Sequence, residues 1–241
     1  MTRWSTTTST TRAPSRDSLT ASSRTGNGGG TSSGSDVSAT LRAKRALDVA
    51  VSGSLLVLLA PVWVAVLGAV GLDMLRCPRD RGPLLYREPR VSAGRPFRLL
   101  KFRTLRRDVL AVAAGHVRPY EADVANLTWA GRRVLKPVYL DELPQLVNVL
   151  RGDMSLVGPR PWPAELVERQ VARGVDYRLR VPAGWTGAAQ VSKGLDAQFE
   201  QLDLDYVALL ENGSARAVVR RDLGLLRRTV RTMLRGEGLA N

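Results

Sequence analysis

The chain has 241 residues, the length of one globular domain with additional segments. Lysine and arginine outnumber Asp and Glu by 36 to 22, so the net charge of +14 favours anionic partners: nucleic acid, phosphorylated metabolites or a membrane surface. Cys77 and His116 are the only cysteine and histidine, which excludes an internal disulfide, a cysteine zinc cluster and a zinc site built on several histidines. What remains is chemistry carried by carboxylates, lysine and arginine.

Residues 1–40 are dominated by serine, threonine and glycine, which fill 25 of these 40 positions. This composition offers too little apolar surface to offset the entropy of ordering the chain, so we predict a disordered tail. The tail lacks the apolar core of a secretory signal peptide.

A strongly apolar segment runs from Val49 to Leu72, where 24 consecutive residues carry no charge. A helix of that length crosses a bilayer, but Pro61 at its centre removes a backbone hydrogen bond and kinks the helix. Three interpretations stay open: a bent helix that enters and leaves through one leaflet, a plain transmembrane span, and a buried core helix. Positive flanks favour the cytoplasmic side, and both ends carry them: Arg42, Lys44, Arg45, Arg76, Arg79, Arg81 and Arg87.

A short β-hairpin is predicted for residues 84–104, because apolar and basic residues roughly alternate on both sides of the turn at residues 92–95. Lys101 and Arg103 lie two positions apart in its second strand, so we expect them on one face. A later helix is predicted from Pro163 to Arg173.

The acidic pair Asp141-Glu142 stands at the predicted start of a helix that ends at Gly152. In the structural interpretation, acids in a first helical turn complement the helix dipole. In the functional interpretation, the two carboxylates flank one target atom, one as a nucleophile and the other as a metal ligand.

Basic residues in the predicted structured segments are candidates for binding a phosphate, although a solvated surface charge is the alternative for any one of them. Arg160 lies between two prolines and so loses little rotational freedom when it binds an anion. The sequence has no P-loop, no Rossmann glycine motif, no zinc finger and no RNP1 pattern, so nucleic-acid binding would rest on charge alone. The phosphate-binding candidates are Lys101, Arg103, Lys136 and Arg160.

The C-terminal segment from Ala215 to Arg235 carries seven arginines and one acid. Either it lies on an anionic membrane surface, or it packs on the core as an ordinary solvated helix. Its spacing predicts an amphipathic helix whose apolar face consists of Val219, Leu223, Leu226, Val230 and Met233.

Several motifs occur in order along residues 42–238: Lys44-Arg45-Ala46-Leu47-Asp48, the apolar segment with Pro61, Lys101-Phe102-Arg103-Thr104, Leu140-Asp141-Glu142-Leu143-Pro144-Gln145-Leu146, Gly152-Asp153-Met154-Ser155-Leu156-Val157-Gly158-Pro159-Arg160-Pro161, Thr186-Gly187 and Gln190-Val191. With these motifs the chain resembles the bacterial sugar transferases, the monotopic phosphoglycosyl transferases. The part from Asp141 to Pro161 is highly specific.

The resemblance implies an enzyme that transfers a sugar phosphate from a UDP-sugar to polyprenyl phosphate, usually undecaprenyl phosphate, and releases UMP. This reaction is the first membrane step of capsule, exopolysaccharide or related glycan assembly. By resemblance, Asp141 attacks the sugar-proximal phosphate to form a phosphosugar–aspartyl intermediate, and Glu142 is a ligand for Mg²⁺. The candidates for binding the substrate and neutralising its diphosphate are then Lys101, Arg103, Lys136, Arg160 and Gln190.

The implied fold class is α+β, with a mostly helical catalytic domain, a small β-hairpin, one re-entrant membrane helix broken at Pro61 and amphipathic surface helices. We therefore divide the chain into a tail (1–40), a membrane-inserted helix (41–76) and a catalytic domain (77–241). The expected partners are the UDP-sugar, polyprenyl phosphate and membrane lipids, without nucleic acid; a homodimer stays open. The expected location is the bacterial cell membrane, with the catalytic domain on the cytoplasmic face.

Some positions depart from the family pattern. Ala60 replaces the serine that commonly precedes the helix-breaking proline, and Pro182, Ala183 and Lys193 alter two loops. These loop changes keep a catalytically inactive relative open as an alternative. The positive charge keeps a second alternative open, a membrane-binding or nucleic-acid-binding scaffold without catalysis.

Overall fold

The computed structural model describes residues 34–113, 117–192 and 198–234. The predicted tail lies outside the described residues as far as residue 33, as do His116 and Lys193. Residues 34–40 are helical, so the tail prediction is wrong at its C-terminal end. Thr40 is buried there and its hydroxyl donates to the carbonyl of Gly213 at 3.3 Å, a tertiary contact that local composition does not reveal.

The described part of the chain is mostly helical, with one antiparallel hairpin and one short parallel strand pair, which confirms the α+β class. In chain order the elements are α1 (Gly34–Leu58), α2 (Ala60–Arg76), β1 (Leu85–Ser92), β2 (Arg95–Phe102), α3 (Arg107–Ala113), α4 (Arg118–Glu121), α5 (Gln145–Arg151), β3 (Ser155–Val157), α6 (Ala164–Ala172), α7 (Tyr177–Arg180), β4 (Gly184–Thr186), α8 (Phe199–Asn212) and α9 (Ala215–Leu234).

Helices α1 and α2 meet at Leu59 with a bend of 60°. Pro61 lies in the first turn of α2 and has no N–H, so the carbonyl four residues earlier loses its helical partner. The break is local, because Leu59 N–H bonds the carbonyl of Leu55 and Trp63 N–H bonds that of Leu59, both at 2.9 Å. The predicted kink is confirmed. Among the described helices, none alone is long and apolar enough to span a membrane; only this bent pair, taken together, is.

Strands β1 and β2 form the predicted hairpin, with Tyr86 opposite Lys101. Ala93 and Gly94 have positive φ angles of 47° and 71°, as a tight two-residue hairpin turn requires. Paired residues share a face and side chains alternate along a strand, so Arg90 lies on the same face of the hairpin as Lys101.

The main core joins α2, the hairpin, α5 and β3. Leu146, Val149 and Leu156 are completely buried in it, and Val66 and Val70 bring α2 into the same apolar cluster. The apolar segment that contains Pro61 therefore shares a core with the hairpin and α5.

The short strand β3 pairs with β4 in parallel and leads directly to Arg160. Gly158 follows β3, and its N–H bonds the carbonyl of Thr186 at 2.9 Å. A Cβ at Gly158 would lie 2.5 Å from the carbonyl oxygen of Pro182, so only glycine fits here. This close approach fixes the start of the loop that carries Arg160.

Helix α9 confirms the predicted C-terminal helix, but its buried face is not the apolar face expected from the sequence. Leu223 and Val230 of the predicted face are 49% and 55% exposed. The helix packs against α1 because Asp222 pairs with Lys44, a contact between residues far apart in the chain. The buried residues are Val218, Asp222, Leu225, Thr229 and Thr232.

Candidate active site

The acidic pair lies in a tight turn ahead of α5, and not in the first turn of an α-helix as predicted. Residues Leu140–Glu142 form a single 3₁₀ turn, after which α5 begins and ends, as expected, at Gly152. Tyr139 precedes the turn in the left-handed conformation (φ 57°, ψ 25°), which is unfavourable for residues other than glycine. Strained backbone of this kind is concentrated at functional sites.

Asp141 is almost completely buried beside a lysine. Its Oδ2 lies 3.3 Å from Lys136 Nζ, which also pairs with Glu121 Oε2 at 2.7 Å. Burial raises the pKa of Asp141 to about 6, Lys136 opposes this rise, and the neighbouring Glu142 adds to it. At neutral pH Asp141 is a desolvated but ionised carboxylate, which is the form required of a nucleophile.

Glu142 has the opposite electrostatic environment. Its Oε1 lies 3.4 Å from Lys101 Nζ. Burial opposes its ionisation, but the positive charges of Lys101 and Arg160 outweigh that effect and lower the pKa of Glu142. Two adjacent carboxylates with pKa values pushed apart are typical of different chemical roles.

A cavity of about 750 Å³ opens beside the acidic pair, a volume suited to a ligand of nucleotide size. Its apolar lining residues are rich in proline and include Pro89, Pro96, Pro161, Trp162, Pro163 and Leu166. Its charged lining residues are Glu88, Arg90, Lys101, Glu121, Lys136, Asp141, Glu142, Arg160 and Glu165. A ligand that carries both apolar and anionic groups fits this lining.

The structure brings three of the predicted cations together at the cavity: Lys101, Lys136 and Arg160. Arg178 donates to the carbonyl of Arg160 at 2.5 Å and fixes the backbone there. Within the described residues, the Arg160 guanidinium itself forms no hydrogen bond or ion pair, which leaves its donors for a ligand.

Two predicted substrate-binding residues do not reach this cavity. Arg103 follows the last residue of β2, and its buried guanidinium donates to the carbonyls of Pro83, Leu105 and Asp80, so it shares no strand face with Lys101. Gln190 is buried and lines an adjoining space of about 20 Å³ together with Lys101, Glu142 and Arg160. The expected shared face of Lys101 and Arg103 is wrong, because the Arg103 guanidinium is already bonded to backbone carbonyls, whereas the assignment of Gln190 to substrate binding stays a prediction.

Sequence reasoning missed four ionisable residues that line the cavity, namely Glu88, Arg90, Glu121 and Glu165. Arg90 pairs with Glu88 and lines the cavity. The position of the turn sets the register of the hairpin and so places Arg90 on the same face as Lys101, which means that Arg90 could have been predicted from the sequence. Glu121 accepts from the Thr104 hydroxyl at 2.9 Å and pairs with Lys136, but the sequence around α4 has no regular pattern and gave no signal.

The carboxylates at the cavity fit a magnesium ion. Within the described ranges, no group of three or more His, Cys, Asp or Glu residues is arranged as a metal cluster. Mg²⁺ in phosphoryl-transfer sites is usually held by one or two carboxylates together with substrate phosphates and water. Glu142, with Asp141 next to it, supplies such oxygen donors at the cavity wall.

A sequence model of the family described as "Bacterial sugar transferase" matches residues 39–236. A "UDP-glucose:undecaprenyl-phosphate glucose-1-phosphate transferase" of Caulobacter vibrioides is 36% identical over 79% of this chain and 69% of the relative. An "Undecaprenyl-phosphate galactose phosphotransferase" of Salmonella typhimurium is 32% identical over 81% of this chain, but the match spans only 41% of that relative. An "Exopolysaccharide production protein ExoY" of Sinorhizobium fredii is 32% identical over 65% of this chain and 71% of its own length.

Proposed function

Since this chain belongs to the bacterial sugar transferase family, a family of sugar-phosphate transferases, we propose that it transfers a sugar 1-phosphate from a UDP-sugar to undecaprenyl or another polyprenyl phosphate and releases UMP. The observation that carries the proposal is Asp141, a buried carboxylate that lies 3.3 Å from Lys136 Nζ and lines a cavity with several cations. The relatives of Caulobacter vibrioides and Salmonella typhimurium are named for the transfer of glucose 1-phosphate and of galactose phosphate, respectively, with undecaprenyl phosphate, which supports this substrate class.

The proposed reaction has two displacements at one phosphorus atom. An oxygen of Asp141 attacks the sugar-proximal phosphorus, the bond to the bridging oxygen breaks, and its electrons leave with UMP. The phosphosugar is then bound to Asp141 as an acyl phosphate. An oxygen of the polyprenyl phosphate attacks the same phosphorus and frees the carboxylate. Because Asp141 is already ionised, no general base is needed for the first step, which suits a site built without histidine among its described residues.

The cations are needed because a carboxylate approaching a diphosphate is repelled. Two unit charges 4 Å apart repel by about 4 kcal/mol at an effective dielectric near 20. Lys101, Lys136, Arg90 and Arg160 neutralise the diphosphate and the charge that develops in the transition state. Mg²⁺, when bound by Glu142, supplies additional neutralisation of the phosphate oxygens.

We also propose that the bent pair of α1 and α2 inserts into the cytoplasmic leaflet of the cell membrane as a re-entrant element. Four apolar side chains near the bend and on α2 are about seventy per cent exposed: Val57 (75%), Leu58 (73%), Val64 (71%) and Leu75 (68%). A contiguous exposed apolar surface marks an interaction site. The exposed Leu223 and Val230 of the arginine-rich helix α9 suit contact with anionic lipids.

A donor panel tests the proposal. The purified full chain in lipid nanodiscs, with Mg²⁺ and undecaprenyl phosphate, is offered UDP-glucose, UDP-galactose and their N-acetylated counterparts, and UMP release is measured. We expect UMP and a polyprenyl-diphosphate sugar with at least one donor. Polyanion binding without UMP from any donor would favour the scaffold or an inactive relative and would contradict the proposed function.

A further inference from the structure

Helix α1 is joined to β3 by buried polar contacts whose residues do not line the cavity. Asp48 Oδ1 accepts hydrogen bonds from the Ser155 hydroxyl and from the N–H of Leu156, both at 3.0 Å. Lys44 Nζ donates to the carbonyl of Val157 at 2.8 Å. Lys44 and Asp48 are one helical turn apart, and together they hold all three residues of β3.

The charge of Lys44 is fixed in place by a second set of contacts. Its ammonium lies 2.6 Å from Asp222 Oδ2, and Tyr206 donates its hydroxyl to Asp222 Oδ1 at 2.7 Å. The side chains of Lys44 and Asp222 are 3% and 0% exposed. A buried pair with both charges matched and hydrogen-bonded has little freedom to move.

The same turn of α1 also contacts the end of α5. Arg45 donates to the carbonyls of Val149 and Leu150 at 2.5 and 2.6 Å. Since α5 begins just after the turn of the acidic pair and β3 leads to Arg160, α1 contacts both segments that bring these groups to the cavity.

The path from β3 to Arg160 is short and stiff. Two residues separate Val157 from Arg160, namely Gly158, which is packed against backbone, and Pro159. Proline restricts φ, and the Pro159 carbonyl also accepts from Gly184 N–H at 2.8 Å. A displacement of β3 is therefore passed on to Arg160 and not absorbed by a flexible loop.

We propose that the α1 turn containing Lys44 and Asp48 is a positioning element for the transfer reaction, which holds β3 so that Arg160 faces Glu142 and the phosphates of the donor. Neither residue lines the cavity, so both act through Arg160. The inference rests on the proposed function. It also means that the helix leading to the break at Pro61 fixes the geometry of the reaction site.

The first test compares two replacements of Asp48 in nanodiscs. Asp48→Leu removes both bonds to β3, whereas Asp48→Asn keeps an oxygen that accepts them. We expect kcat/KM for UMP release to fall at least about 10-fold in Asp48→Leu, because small misplacements of a charged group have large rate effects, and to stay within about 3-fold in Asp48→Asn. Ser52→Ala, which removes another buried polar group of α1 that donates to the backbone carbonyl of Asp48 in the same helix, is the matched control and keeps the wild-type rate.

A double-mutant cycle separates positioning from simple destabilisation. If Asp48 acts through Arg160, then adding Asp48→Leu to Arg160→Ala costs less than about 2-fold more, since the group being positioned is already gone. A purely structural role predicts that the two losses multiply, and that result would overturn the inference.

A second variant covers the case in which Asp48→Leu does not fold. Lys44→Met with Asp222→Asn removes the bond to Val157 without leaving an unpaired buried charge, and we expect the same loss and the same non-additivity with Arg160→Ala. A folded double variant with the wild-type rate would contradict the inference alone. A wild-type protein that releases no UMP would instead contradict the proposed function.

Discussion

Two clusters of buried ion pairs in this protein differ in how completely their charges are matched. Around Lys44, Asp222 is paired at 2.6 Å and bonded by Tyr206, and neither Lys44 nor Asp222 lines the cavity beside the acidic pair. Around Asp141, the ion pair with Lys136 is longer, at 3.3 Å, and the carboxylate lines a cavity of about 750 Å³.

This difference separates charges that hold the fold from charges that are kept ready for a ligand. A saturated buried pair has no capacity left for a further partner, whereas an incompletely matched group beside a cavity retains it. Burial raises the pKa of both carboxylates, Asp141 and Asp222, and the neighbouring lysine only partly offsets it in each case, so the distinction rests on geometry: only Asp141 lines the cavity. The same fold therefore uses buried charge in two ways, and replacement of each cluster should give different losses.

The largest expected effect is loss of turnover in Asp141→Asn. We expect UMP release to fall by about 10³-fold or more, because the isosteric amide is not a nucleophile. Stability at pH 7 should not fall, since the amide removes a buried charge whose ionisation burial opposes. Rates in nanodiscs and denaturant unfolding measure the two quantities, and turnover close to that of the wild type would refute the assigned nucleophile.

Lys44→Met should lower stability, in addition to the loss of turnover expected when the bond to Val157 is removed. Breaking the buried pair leaves Asp222 without its cation, which costs about 3–5 kcal/mol of unfolding free energy. Denaturant unfolding measures this loss, and adding Asp222→Asn should recover part of it. An unfolding free energy unchanged in the single variant would mean that this cluster does not stabilise the fold.

A third pair of variants compares a cavity arginine with an enclosed one. Arg160→Ala should reduce kcat/KM about 10²-fold, as expected for loss of one group that stabilises transition-state charge. Arg103→Lys should lower stability and leave the donor KM unchanged, because the Arg103 guanidinium donates to three backbone carbonyls and does not line the cavity. If both variants changed the donor KM by the same factor, Arg103 would be a substrate-binding residue after all.

The smallest effect is a shift of the pH profile. Asp141 must be ionised to attack, and its pKa is raised to about 6, so the rate should rise with pH through that value and level off above it. The positive charge of Lys136 opposes the increase in the pKa of Asp141. Lys136→Met should therefore move the rise in rate to higher pH, whereas Lys136→Arg should leave it at the same pH. If the rate rose at the same pH in the wild type and in both Lys136 variants, Lys136 would not influence the ionisation of Asp141.

Features set by neighbouring residues could be predicted from the sequence. The two-residue turn at Ala93 and Gly94 fixes the hairpin, and Gly152 ends α5. Features set by distant partners could not: Arg103 is enclosed by carbonyls up to 23 residues away, and Asp222 is buried on α9 because Lys44 lies 178 residues earlier. The candidate site was predictable for the acidic pair and three cations, because those residues lie in specific motifs.

The central claim is that Asp141 carries the phosphosugar during transfer. Enzyme incubated with the active UDP-sugar in the absence of polyprenyl phosphate should gain, in intact-mass spectrometry, the mass of one phosphosugar. Peptide mapping should locate the adduct on Asp141, and Asp141→Asn should show none. UMP release without any adduct on wild-type enzyme, or an adduct at another residue, would contradict the account.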